Sequence, residues 1–198
     1  GTDSDRALLL DFQATLEIKP GKAIKLEKDA LAQIENITAD NARLVSNLHA
    51  NLGGLYRMNG YPDLAREHMG KSISLLDQFN LLHINDSIPQ IANYAMFLTE
   101  QQEPERGISE LQKLSGIIKE YHSDDCLDYA KVQETLATIY LMTANLSHAK
   151  THFKKAFKIY EKIWADEPEM IEAKYREIQE LYPQIGFSIG KTLSGLLT

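Results

Sequence analysis

The chain has 198 residues, 43% of them hydrophobic and 25% charged, which is enough for one globular domain burying roughly 70% of its unfolded surface. Its net charge of −7 argues against nucleic-acid binding, which needs cations to displace phosphate counterions. No apolar run reaches the roughly 20 residues that span a bilayer, and the single cysteine, Cys126, can form no internal disulfide, so a reducing, cytoplasmic compartment is expected.

In chain order, hydrophobic spacing and stop signals predict helices over residues 3–17, 21–36, 39–58, 62–79, 87–101, 104–121, 125–143, 146–164, 168–182 and 188–197. The first two carry Leu10 and Ala14, then Pro20, Ala23 and Glu27. The next two carry the same positions 42 residues on, as Leu52 and Tyr56, then Pro62, Ala65 and Met69. Tyr94 and Leu98, then Pro104, Gly107 and Leu111, follow after another 42. Leu136 and Tyr140, then Ala149 and Phe153, continue the series, and Ile178 and Tyr182 extend its first two columns. Glu27 is the one charged member of its column.

Several columns in register indicate a repeating unit of two antiparallel helices, A and B. Proline fits the first turn of a helix, where its missing N–H has no partner to lose, so Pro20, Pro62 and Pro104 mark the starts of B helices. The small residue one turn later lets B approach A closely. Leu52 and Tyr56, like Leu136 and Tyr140, stand four apart and share one face of an A helix. Turn formers separate the pairs at Pro20-Gly21, Asn59-Gly60 and residues 102–104. Ser87 before Pro89 and Asp166 before Pro168 are expected N-terminal caps, and Asp124 and Asp125 are expected to cap the helix after them.

The stretch Leu52-Gly53-x-x-Tyr56-x-x-x-Gly60-x-x-x-x-Ala65 resembles the tetratricopeptide signature. Tyr94, Ala95, Leu98 and Gly107 keep part of it, Leu136, Ala137, Tyr140, Ala149, Phe153 and Ala156 keep more, and Leu10, Ala23 and Ala30 are a degenerate first copy. The usual period is about 34 residues; the 42-residue variant is similar to that of the kinesin light chain family, although the His-Pro of that family's loops is absent here. The resemblance implies an all-α, right-handed superhelical solenoid of antiparallel helix pairs. Its units would be 4–45, 46–87, 88–129 and 130–171, with a degenerate fifth at 172–198, in a single domain. Because the chain begins at Gly1 rather than methionine, it is expected to be a fragment of a longer protein.

The resemblance also implies a scaffold rather than an enzyme, without cofactors, holding a protein or peptide in the concave face lined by A helices. Counting Ser46, Ile88 and Ala130 as position 1, the inward positions include Asn47, Asn51 and Arg57 in one unit. They include Asn93, Met96, Thr99 and Glu100 in the next, and Lys131, Glu134, Thr135, Thr138 and Met142 in the third. Asn51 and Asn93 occupy the same position 42 apart, and an amide facing solvent there would pair with a peptide backbone unit. Leu8 and Phe12 stand where a carboxylate clamp would need Lys and Asn, which argues against capture of a chaperone C-terminus. A sensory domain that switches an attached effector is the alternative reading.

Other chemistry is weaker. His148 and His152, four apart, have no third ligand in register, and His122, Asp124, Asp125 and Cys126 read better as a loop than as a metal site. Residues 186–192 resemble a phosphate-binding loop but are one residue short between the glycines, and no strand precedes them. Phe187, Ile189, Leu193, Leu196 and Leu197 form an apolar stripe, so self-association or packing against further repeats is expected there.

Overall fold

The computed structural model describes residues 2–181 together with 183; the stripe from Phe187 to Leu197, Gly186 and Tyr182 lie outside the described residues. Among these residues the fold is all-α, and they fall into two compact units divided between Glu110 and Leu111. The first unit holds α1 (Asp3–Leu16), α2 (Pro20–Ala32), α3 (Ala42–Met58), α4 (Pro62–Gln78), α5 (Ser87–Glu100) and the start of α6 (Pro104–Tyr121). The second holds the rest of α6, then α7 (Leu127–Met142), α8 (Leu146–Ile163) and α9 (Pro168–Leu181).

The 42-residue period is built into the turns. Pro20 and Pro62 open α2 and α4, as their fixed φ favours. The turns before α4, α6 and α8 each contain a left-handed residue, at Gly60 (φ 78°), Gln102 (φ 65°) and Ala144 (φ 58°). Each closes a Schellman motif: the amides of Tyr61, Glu103 and Asn145 donate to the carbonyls of Tyr56, Leu98 and Tyr140 at 3.0, 2.9 and 2.7 Å. The signature column therefore does two jobs, since its side chains pack and its carbonyls end the helix.

Close approach explains the small columns. A Cβ on Gly53 of α3 would meet Met69 Cγ at 2.5 Å and the Ala65 carbonyl oxygen at 3.3 Å, both on α4. A Cβ on Gly107 would lie 2.5 Å from the carbonyl oxygen of Ala95, one repeat on. Ala23, Ala65 and Ala149 are fully or almost fully buried at the equivalent places. Each pair is thus held by backbone-to-backbone contact that any larger side chain would push apart.

Several expected boundaries move for local reasons. Helix α2 ends at Ala32 and α3 begins at Ala42 because Asn41 organises the loop. Its Oδ1 accepts from the Thr38 amide (2.8 Å) and its Nδ2 donates to the Asn36 carbonyl (2.9 Å), in competition with helix formation. Ser87 is not a cap: it is the first residue of α5, and its buried hydroxyl donates to the carbonyls of Leu82 and Ile84. Neither Asp124 nor Asp125 caps α7; Cys126 does, its sulfur accepting from the Tyr129 amide at 3.5 Å. Asp125 instead pairs with Lys162 and Ser123, which hold its carboxyl below the usual range.

Candidate functional site

Helices α3 and α5 form the main walls of an open cavity of about 540 Å³ in the first unit. From α3 it takes Asn47, Ala50, Asn51, Gly54, Arg57 and Met58, all six inward positions of that repeat. Asp86, just before α5, and Pro89, Gln90 and Asn93 on it form the facing side, with Asp11, Met69 and Ser72 completing the lining. An amphipathic A helix buries Leu48, Leu52 and Tyr56 against its own pair, so the adjacent positions are left to line the opening.

Several of these polar residues are already bonded to the neighbouring repeat. Arg57 forms a two-pronged ion pair with Glu100, its Nε 2.8 Å from Oε2. The Gln90 amide donates to Asn47 at 2.6 Å, and Gln90 Oε1 accepts from the hydroxyls of Ser46 and Ser72 at 2.9 and 2.6 Å. At the cavity's edge, Arg43 pairs with Asp86, its Nε at 2.9 Å. Arg43–Asp86, Asn47–Gln90 and Arg57–Glu100 each join residues 43 apart and Ser46–Gln90 joins residues 44 apart, so these contacts run one or two residues beyond the 42-residue period. Sequence reasoning did not single out Arg43, Asp86 or Gln90, and a 42-residue period carries no signal for pairs that stand 43 apart.

Asn51 and Asn93 do not play equal roles. Asn51 is half-buried, and its amide nitrogen donates to Asp11 (2.8 Å) and Glu27 (3.3 Å), so the expectation that it faces solvent is corrected. The reason is Glu27, only 2% exposed in an otherwise apolar column. Burial, then the charge of Asp11, pushes its carboxyl up to about 8, and its Oε2 has no partner. Asn51 donates to the other oxygen, Oε1. Asn93 is exposed on the cavity wall and, among the described residues, makes no side-chain hydrogen bond.

Elsewhere in the first unit, Met96 is half-buried, and Thr99 is buried with its hydroxyl on the Ala95 carbonyl. In the second unit, Glu134 accepts from the Tyr160 hydroxyl (2.6 Å) and Lys174 (2.9 Å). Burial and the Glu134 carboxylate raise the Tyr160 phenol, and Glu134 and Glu177 hold Lys174 charged against its own burial. Thr135 and Thr138 turn their hydroxyls back onto the carbonyls of Lys131 and Glu134, and exposed Lys131 lies 3.7 Å from Asp128. These four residues share α7, but their polar groups are largely spent within the chain. His152 bonds to Gln133 at 2.8 Å and stacks on Tyr140, as does His148. Among the described residues no three His, Cys, Asp or Glu side chains could hold a metal ion, and no helix is long and apolar enough to cross a membrane.

Residues 87–162 match the tetratricopeptide repeat family. No curated protein sequence matches the chain. Among solved structures, BtubC (BKLC) from P. vanneervenii is similar with a TM-score of 0.72 at 17% identity, covering 91% of this chain and 72% of that one. A Podosopora anserina protein described as a kinesin light chain with nearly identical TPR-like repeats gives 0.64 at 14%, over 74% and 69%. MamA gives 0.56 at 15%, over 79% of each chain. At these identities the likeness is one of fold.

Proposed function

We propose that the α3–α5 cavity seats a peptide segment of a partner protein: residues 87–162 match the tetratricopeptide repeat family, whose members are protein-interaction scaffolds, and the chain folds as helix pairs of that kind. The observation that carries the reading is the cavity's lining: every inward position of α3 opens onto one concave space, facing Pro89 and Asn93 of α5. Ala50, Gly54, Met58, Met69 and Pro89 offer apolar contact, while Asn93 is a polar side chain there with no internal partner to give up. An unpaired amide beside apolar surface suits a peptide backbone, to which it both donates and accepts. The Arg57–Glu100 pair is positioned to keep neighbouring A helices in register rather than to bind.

The test is to select peptides against the chain from a random display library and measure their affinity for Asn93→Ala. Losing a hydrogen bond of roughly 1 kcal/mol should weaken binding about fivefold, with the melting temperature unchanged because Asn93 is exposed. Selected peptides that bind the variant as tightly as the parent would overturn the proposal.

A further inference from the structure

In a chain of net charge −7, α8 is strongly basic. It carries Lys150, Lys154, Lys155, Lys158 and Lys162, with Glu161 as its only acid. The opposite face, through Ala149, Phe153, Ala156, Phe157 and Tyr160, is buried. All five lysines are exposed, and four of them recur at four-residue steps, so their backbone positions form one row rising about 6 Å per step along the axis. Like charges at that spacing work against the helix that bears them.

The row borders a second cavity of about 460 Å³ in this unit, lined by Lys119, Asp124, Asp125, Tyr129, Lys155, Lys158, Ile159 and Lys162. Two of its cations are already answered. Lys162 pairs with Asp125, and Lys119 lies 3.5 Å from Asp124 with its ammonium 5.2 Å from the Tyr129 ring centroid. Lys155 and Lys158 have no carboxylate partner among the described residues.

We propose that this face of α8 is a docking surface for an extended acidic segment of a partner protein, its carboxylates meeting Lys155 and Lys158 and running along the lysine row. In an extended chain alternate residues lie about 6.6–6.8 Å apart on one side, close to the spacing of the row. The chain's net charge of −7 favours a short run of carboxylates confined to this face over a nucleic acid, whose continuous phosphates the rest of the surface would repel. Docking here is independent of the α3–α5 cavity.

The test uses the full chain and a fluorescently labelled peptide of roughly ten residues with glutamate at every second position, followed by anisotropy at low salt. Lys155→Glu/Lys158→Glu should weaken binding at least tenfold, and Lys155→Gln/Lys158→Gln by less. Lys22→Glu/Lys25→Glu on α2, which makes the same change in net charge, and Asn93→Ala should bind as the parent does. Added salt should release the peptide. Circular dichroism of each variant reports that it is folded; a folded Lys155→Glu/Lys158→Glu chain that still bound normally would overturn the proposal. So would tighter binding of a single-stranded oligodeoxynucleotide or of anionic phosphatidylserine vesicles than of the peptide.

Discussion

Adjacent glycines in α3 should respond to the same substitution with opposite signs. In a helix interior, replacing glycine by alanine gains about 0.5–1 kcal/mol from reduced unfolded-state freedom. At Gly54 the added methyl meets nothing within 4 Å, because it projects into the open cavity, so Gly54→Ala should realise that gain. At Gly53 the methyl would meet Met69 Cγ at 2.5 Å, Met69 N at 3.0 Å and the Ala65 oxygen at 3.3 Å. The methionine side chain can move, but the two backbone atoms move only if α4 shifts away from α3. Overpacking of that kind costs about 1–3 kcal/mol, which outweighs the propensity gain, so Gly53→Ala should lose roughly 0.5–2 kcal/mol net. Urea unfolding followed by far-ultraviolet circular dichroism gives both values as midpoint shifts at constant slope. Shifts of the same sign would refute the argument that close α3–α4 approach, rather than helix propensity, decides what this column tolerates.

Three further outcomes follow from buried and strained groups. Glu27, with its carboxyl near 8 when folded against an ordinary 4.5, keeps a proton that the unfolded chain releases. Its contribution is therefore complete below about pH 4.5 and is lost as pH rises through 8. Glu27→Gln should flatten the fall in stability between pH 5 and 8 by up to about 1.4 kcal/mol per pH unit, and an unchanged profile would show that the carboxyl is already ionised. His49 behaves in the opposite sense: burial, then the neighbouring His68 whose Nδ1 lies 2.9 Å away, lowers it from 6.5 to about 4. Its stability is full above pH 6.5 and is lost as pH falls towards 4. The equivalent place two repeats on holds a Gln133–His152 bond, so His49→Gln should keep the contact and reduce the acid-side loss; a steeper loss would contradict the assignment. Finally, Ala144 stands at φ 58° where Gly60 serves two repeats earlier. Ala144→Gly should raise stability by about 0.5–1 kcal/mol in the same urea assay, and a lower midpoint would show that this turn is not strained.

The repeat was legible because its marks are chemical necessities at fixed spacing: Pro20 and Pro62 where no amide is needed, Ala65 and Gly107 where backbones touch. Turns were marked at Gly60 and at residues 102–104, but of the three left-handed residues closing these turns only Gly60 was legible as one, since neither Gln102 nor Ala144 is a residue type that favours that conformation. Caps were misread at Ser87 and Asp125 because several nearby polar side chains were equally able to serve, and tertiary partners (the Leu82 carbonyl, Lys162) took those two away. The cavity-lining positions of α3 followed from helical geometry. Their pairings did not, because an offset of 43 between Asn47 and Gln90 or Arg57 and Glu100 depends on how two A helices stack, which a 42-residue period leaves open. Glu27 was marked by its column as out of place, but only the fold reveals that Asn51 is committed to it and that Asn93 is the amide left free.

The measurement that bears most directly on the proposed function is calorimetric titration of a library-selected peptide into the chain and into Gly54→Gln. The new side chain would grow from the cavity wall into open space without touching the packed face of α3. A peptide seated between α3 and α5 should therefore lose at least about tenfold in affinity, some 1.4 kcal/mol, while the variant melts no lower than the parent. Equal affinity for the two chains would place the interaction outside the cavity and contradict the account.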